Sequence, residues 1–210
     1  MAEIISRNVN VGPCKVHCLQ TNNTQGHEII LLHGAKFQAA TWKELKTLDR
    51  LGDAGYRPYA IDLPGFGKSP RSTVAHDAVL QAFIKQEKLF RPVLVGPSMS
   101  GKISLDFTLD YPESVGGLVL IGAVGVRDRS EELNTISLPC LIFWGSTDTI
   151  SPLDNGRLLH KKIRGAELRV FESAGHPCYL DQPDKWHQEL LLFLNKHFGL
   201  TALKEGDSDR

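Results

Sequence analysis

The stretch Pro92–Ser98, P-V-L-V-G-P-S, continued by M-S-G over residues 99–101, decides the fold. Its apolar residues run without alternation into Gly96 and a serine, and the residues after Ser98 have helical spacing. A strand with no polar face is buried on both sides. A serine at the end of such a strand, where the chain turns abruptly into a helix, is held on a strained bend with its hydroxyl above the sheet and the helix N-terminus beneath it. Gly96 two before Ser98, Ser100 two after and Gly101 next keep the neighbours small, in a G-x-S-x-S-G pattern where G-x-S-x-G is usual. Taken alone, the pattern also fits a serine that merely caps the following helix.

Similar apolar runs lie on either side: Glu28 to Leu32, Tyr56 to Ile61, Gly117 to Ile121, Cys140 to Trp144 and Leu168 to Phe171. Segments with helical periodicity separate them, which predicts a mostly parallel sheet covered by helices on both faces. Helices are expected over Trp42 to Ala54, with Trp42, Leu45, Leu48 and Leu51 at steps of three, over Thr73 to Leu89, and from Ser151-Pro152 to Ile163 with the proline at the first helical position. A last helix, Asp184 to Phe198, places Trp186, Leu190, Phe193, Leu194 and His197 on one apolar stripe. The first 20 residues alternate around Gly12-Pro13 and read as an antiparallel hairpin. Residues 1–200 are expected to form a single domain, with a polar, disordered tail over 201–210.

The chain has 210 residues, 24 Lys plus Arg against 24 Asp plus Glu, and a formal net charge of zero, which excludes a globally basic nucleic-acid binder. No run reaches the roughly 20 apolar residues of a membrane helix, and the first ten residues lack the pattern of a signal peptide, so neither a membrane nor a secretory route is expected. Cys14, Cys18, Cys140 and Cys178 are too few and scattered for a disulfide framework. Cys14 and Cys18 read as buried free thiols on one side of a strand. A zinc site would need a second ligand pair, and none has the right spacing.

A serine hydroxyl needs a base to take its proton, and the base needs an acid to hold its tautomer. W-G-S-T-D-T-I-S-P puts Asp148 beyond the strand ending at Trp144, and S-A-G-H-P puts His176 beyond the strand ending at Phe171. All three groups therefore belong at carboxyl ends of parallel strands, where open sheets place their sites. The order Ser, Asp, His is that of the α/β-hydrolases. Oxyanion donors are expected from the backbone N–H of Met99, which follows Ser98 at a helix start, and of Ala35 in L-L-H-G-A-K-F, Leu31 to Phe37. Lys36 and Phe37 in that loop are assigned to substrate binding, and Lys36, Arg71 and Lys102 to the rim. His33 is expected to tie the loop down rather than act as a base. D-L-P-G-F-G-K-S, Asp62 to Ser69, lacks the spacing of a phosphate-binding loop and reads as a tight turn near the pocket. Only twelve residues, Arg127 to Leu138, stand where many α/β-hydrolases insert a helical lid, so no lid domain is expected and short acyl chains should be preferred.

The chain resembles the α/β-hydrolase domain-containing protein 14 family, especially its short soluble members. The resemblance rests on L-L-H-G-A-K-F, on I-D-L-P-G-F-G-K-S at Ile61 to Ser69, on P-S-M-S-G at Pro97 to Gly101, and above all on A-G-H-P-C-Y-L-D-Q-P-D-K-W-H at Ala174 to His187. Gly96 departs from the S-x-S-x-S elbow of that family. The resemblance implies Ser98, Asp148 and His176 as a catalytic triad, esterase activity on short acyl esters, and an atypical protein-lysine deacetylase activity that passes acetyl to coenzyme A as co-substrate, with no bound cofactor and no metal. It also implies a cytoplasmic and nuclear location. The substrate is then a small acyl ester or an acetylated lysine, on a monomeric enzyme that meets a protein partner but neither nucleic acid nor membrane. A carboxylesterase of a small metabolite ester, or a non-catalytic binding protein of the same fold, are the alternatives.

Overall fold

The computed structural model describes residues 2–199; the tail expected over 201–210 lies outside the described residues. Eight strands form one sheet: β1 (Ile4–Val11), β2 (Cys14–Thr21), β3 (Glu28–Leu31), β4 (Arg57–Ile61), β5 (Val93–Pro97), β6 (Gly117–Ile121), β7 (Cys140–Gly145) and β8 (Glu167–Phe171). Their order is β1-β2-β4-β3-β5-β6-β7-β8. β1 pairs with β2, and β2 with β4, antiparallel; every other neighbouring pair is parallel. The hairpin and the parallel sheet stand where the sequence places them. β5, β6 and β7 are buried throughout, while β1 and β8, at the edges, are half open.

Alternate strand residues feed two cores. Ile30, Leu94, Leu120 and Ile142 face α3 (His76–Gln86), α4 (Met99–Asp110) and α5 (Leu153–Lys162). Ile29, Val95, Val119 and Leu141 face α1 (Ala39–Glu44), α2 (Thr47–Asp53) and α7 (Pro183–Phe198), with the short α6 (Cys178–Asp181) alongside. No helix among the described residues is long and apolar enough to cross a membrane. All four cysteines are buried free thiols, and burial pushes those of Cys18, Cys140 and Cys178 up to about 12, which removes their thiolate reactivity.

Three local expectations need correction. The helix predicted over Trp42 to Ala54 is two helices, because Lys46 takes a left-handed conformation at φ 66° and breaks the ladder. Pro152 is the N-cap of α5 rather than its first residue. In α7, His197 is only half buried, with Nε2 3.5 Å from Glu167 Oε1, whereas His187 and Phe198 complete the buried stripe. His187 goes inside because the Thr47 hydroxyl satisfies its Nε2 at 2.9 Å.

Between β6 and β7 the chain forms only a 3₁₀ turn, Leu133–Thr135. Val126, Leu133 and Ile136 pack into the core, so this segment builds no helical lid.

Candidate active site

β3 and β5 are neighbours, yet the chain leaves β3 toward β4 and only later returns to β5. This is a switch point, where loops diverge at the carboxyl ends of strands and leave a crevice. It brings the loop after β3 against the end of β5: a Cβ on Gly34 would stand 3.7 Å from Ser98 Cβ.

Ser98 is the residue between β5 and α4. It holds φ 52° and ψ −114°, a conformation that costs a non-glycine residue about 1–3 kcal/mol and persists only where the surroundings enforce it. Here Ser98 N–H donates to Ile121 O at 2.8 Å, and its own carbonyl accepts from Gly101 and Val124 at 3.0 and 3.2 Å. Gly96 is obligatory beneath the bend, since a Cβ there would lie 2.4 Å from Ser100 O.

Asp148 and His176 arrive from the far side. β8 stands three strands from β5, about 14 Å at the usual spacing, so the loop after β8 must double back. Hydrogen bonds from Thr147 N–H and Oγ1 to Ala174 O, 3.0 and 2.8 Å, and from Ser173 N–H to Ser146 Oγ, 2.9 Å, fasten that loop to the one after β7. Gly122, at the end of β6 with φ 52°, leaves the space in which the two side chains meet. A Cβ on it would stand 3.1 Å from both Asp148 Oδ2 and His176 Nδ1.

The three groups form one hydrogen-bonded chain. His176 Nδ1–H donates to Asp148 Oδ2 at 2.7 Å, and Ser98 Oγ–H donates to His176 Nε2 at 2.8 Å. The Asp148 carboxylate is fully buried, and Oδ1 accepts the N–H groups of Ile150 and Ser151, both at 2.9 Å. A carboxylate so held is acceptor only, which fixes the proton of His176 on Nδ1 and leaves Nε2 as acceptor for the serine. Such a chain can draw the hydroxyl proton of Ser98 onto imidazole.

Above Ser98 lies an open cleft of about 390 Å³ lined by Gly34, Ala35, Lys36, Phe37, Ile150, His176 and Pro177. Ala35 and Lys36 are exposed there, and Phe37 half buried. Among the described residues the backbone N–H groups of Ala35 and Met99 meet no backbone acceptor, as the first amides of a helix and of a free loop do not. Ile150 is 66% exposed at the mouth. The sequence reading missed Ile150 and Pro177, although each is within two residues of a side chain it singled out.

Two rim assignments change. Lys102 is engaged by Asp128 and Asp106 at 2.8 and 3.1 Å, and Arg71 is not among the residues lining the cleft. His33 does tie its loop down. Its Nε2 accepts from Leu63 N–H at 3.1 Å while Nδ1 donates to Gly34 O at 3.0 Å, and burial pushes its pKa below the ordinary value. The loop 62–69 turns its amides inward, with Gly65 N–H on Pro70 O at 3.1 Å and Lys68 N–H on Asp62 Oδ2 at 3.0 Å, so those donors are not free for phosphate.

A second chain of the same three residue types runs from Ser6 Oγ to His17 Nε2, 2.9 Å, and from His17 Nδ1 to Asp62 Oδ2, 2.8 Å. Ser6 lies inside the β1–β2 ladder, opposite Leu19, not at the head of a helix. There the same residue types hold a sheet edge together.

Residues 29–135 match the family described as alpha/beta hydrolase fold. A proposed protein-lysine deacylase, ABHD14B of Homo sapiens, is 37% identical over 175 residues, spanning 79% of this chain and 82% of that protein. Protein ABHD14A of Danio rerio is 38% identical over 178 residues, spanning 80% of this chain and 64% of its own length. Among solved structures, one described as a predicted CIB-like hydrolase from Thermoplasma acidophilum superposes with a TM-score of 0.90 at 25% identity, over 93% of this chain and 100% of that one.

Proposed function

The chain belongs to the α/β-hydrolase fold family and, within it, to the ABHD14 family, and from that premise we propose that it is a serine hydrolase that removes small acyl groups, acetyl above all, from esters or acylated lysine. The observation that carries the reading is the unbroken chain from Ser98 through His176 to the buried Asp148, 2.8 and 2.7 Å, set at a strained strand-to-helix bend beside a cleft.

In this reading Ser98 Oγ attacks the acyl carbonyl carbon as its proton passes to His176 Nε2. The imidazolium is stabilised by Asp148, which stays ionised. Negative charge gathers on the carbonyl oxygen, and the N–H groups of Ala35 and Met99 receive it. Each such donor contributes about 3–4 kcal/mol to the barrier reduction. When the tetrahedral adduct collapses, His176 Nε2–H protonates the departing alcohol or amine and the acyl group remains on Ser98. An acceptor then enters from the cleft and gives its proton to His176 as it attacks; the acyl–Ser98 bond breaks as His176 returns that proton to Ser98 Oγ, so water yields the free acid and the thiol of coenzyme A yields acyl-coenzyme A.

The width of the cleft supports a side chain presented by another protein, because no helical lid stands between β6 and β7. Phe37 offers an apolar wall, and the exposed ammonium of Lys36 suits an anionic group on substrate or acceptor. The likeness to ABHD14B, a proposed protein-lysine deacylase, favours acylated lysine as donor. Incubation with an acetylated peptide or p-nitrophenyl acetate, with and without coenzyme A, tests the acceptor. Acetyl-coenzyme A detected by mass spectrometry supports transfer, and acetate alone limits the activity to hydrolysis. Absence of turnover on every donor, with Ser98 unlabelled by a fluorophosphonate, contradicts the enzymatic reading.

A further inference from the structure

Ser98 and His176 border a second, much smaller hollow. It has a volume of about 10 Å³, and Pro97, Ile121, Phe37 and Tyr179 form its side walls. That is about the room taken by one water-sized sphere, and among acyl tails the single methyl of acetyl comes nearest to it in size. Water gains little by staying there, because it needs two to four polar partners and these walls are aliphatic or aromatic.

Two of the walls are fixed. Tyr179 is 2% exposed, stacked on Trp42 at a centroid distance of 5.1 Å and edge-on to Phe37 at 6.4 Å. Ile121 is 1% exposed at the end of β6, and its carbonyl holds the Ser98 amide at 2.8 Å. Side chains packed to this degree move only by displacing their neighbours, so the hollow does not widen on the Tyr179 and Ile121 side for a longer tail.

We infer that this hollow is the acyl subsite and that Ile121 and Tyr179 set the acyl length. The inference rests on Ser98 being the nucleophile. With the carbonyl carbon at Ser98 Oγ, the methyl of an acetyl group enters the hollow and the alcohol or lysine side lies in the open cleft. An acyl chain longer by two or more methylenes meets the Tyr179 ring and the Ile121 side chain. The preference for short acyl groups then originates in the floor beside the serine, and not in the missing lid to which the sequence reading attributed it.

The test compares kcat/KM for p-nitrophenyl acetate, butanoate and hexanoate in the wild type, Ile121→Ala and Tyr179→Leu. Fluorophosphonate labelling of Ser98, read by peptide mass spectrometry, and a thermal melt are run beside it. The wild type should favour acetate over hexanoate by at least about tenfold, in line with what a methylene-sized misfit costs in an apolar pocket. The hexanoate-to-acetate ratio should rise at least tenfold in whichever variant folds. Equal wild-type rates on the three esters, or a ratio unchanged within twofold in a folded variant, overturns the subsite while labelled Ser98 leaves the nucleophile in place. Unlabelled Ser98 brings down the nucleophile and the subsite together.

Discussion

The Ser100 hydroxyl donates to the backbone carbonyl of His33, so the first turn of the helix that follows Ser98 is tied directly to the loop that carries Ala35. Ser100 is completely buried. It occupies the position where G-x-S-x-G has its second glycine, and this bond gives the departure a physical cause: two proposed oxyanion donors, on separate segments, share one rigid support.

Ser100→Gly restores the commoner motif and Ser100→Ala keeps the volume, yet both delete the bond. Each is expected to leave the His33 carbonyl unsatisfied, at a cost of about 1–3 kcal/mol, and to lower kcat on p-nitrophenyl acetate about ten- to a hundredfold, since small displacements of reacting groups are costly. Steady-state kinetics with a urea unfolding curve checks this. A glycine variant as active as the wild type would sever the link between Ser100 and the oxyanion loop.

Asp62 clamps the far end of the same loop. Its carboxylate, 2% exposed, accepts Ala39 N–H at 2.6 Å and Lys68 N–H at 3.0 Å and pairs with His17 Nδ1 at 2.8 Å. Asp62→Ala strands the Ala39 N–H and His17 Nδ1 in the interior. Each buried donor left unsatisfied costs about 1–3 kcal/mol, which together for a domain of this size is a drop of on the order of 10 °C in Tm. Calorimetry reads it, and a shift under 2 °C, roughly the effect of half a kcal/mol, would show that the network carries little.

His187 gives the stability a pH dependence. Burial, helped by the Arg50 cation, pushes its pKa from 6.5 down to about 4. Below 6.5 the unfolded chain binds a proton that the native imidazole refuses until about 4, so this contribution is present above 6.5 and is lost as pH falls toward 4. The loss is about 2–3 kcal/mol across that window. Urea midpoints at pH 7 and 4.5 should therefore lie closer together in His187→Gln than in the wild type. Equal separations would contradict the buried, neutral state of His187.

Much of this was legible because it is local. Continuous β-branched runs such as Val93–Val95 and Gly117–Ile121, too short for helices and bounded by Gly or Pro, read as strands buried on both faces, and Ser98, Asp148 and His176 follow such strands in a telling order. What depends on distant parts of the chain was not. The threefold spacing through Leu45 and Leu48 continues across Lys46 and conceals the break there. His187 looks like a surface residue until Thr47, 140 positions away, supplies its partner. Tyr179 and Ile121 meet beside Ser98 only because α6 and β6 converge there, and no periodicity records that. The elbow serine could be recognised from its small neighbours, but the bond that Ser100 makes with the loop after β3 crosses 67 positions.

The most direct test of the central claim is the release of p-nitrophenol from its acetate ester by the wild type and by Ser98→Ala, with fluorophosphonate labelling and melting temperature recorded on the same samples. The wild type should turn over and carry the phosphonate on Ser98. The variant should melt within a few degrees of the wild type, take up no label and fall to the solution background. A folded Ser98→Ala variant that still hydrolyses the ester at the wild-type rate would show that the chemistry lies elsewhere.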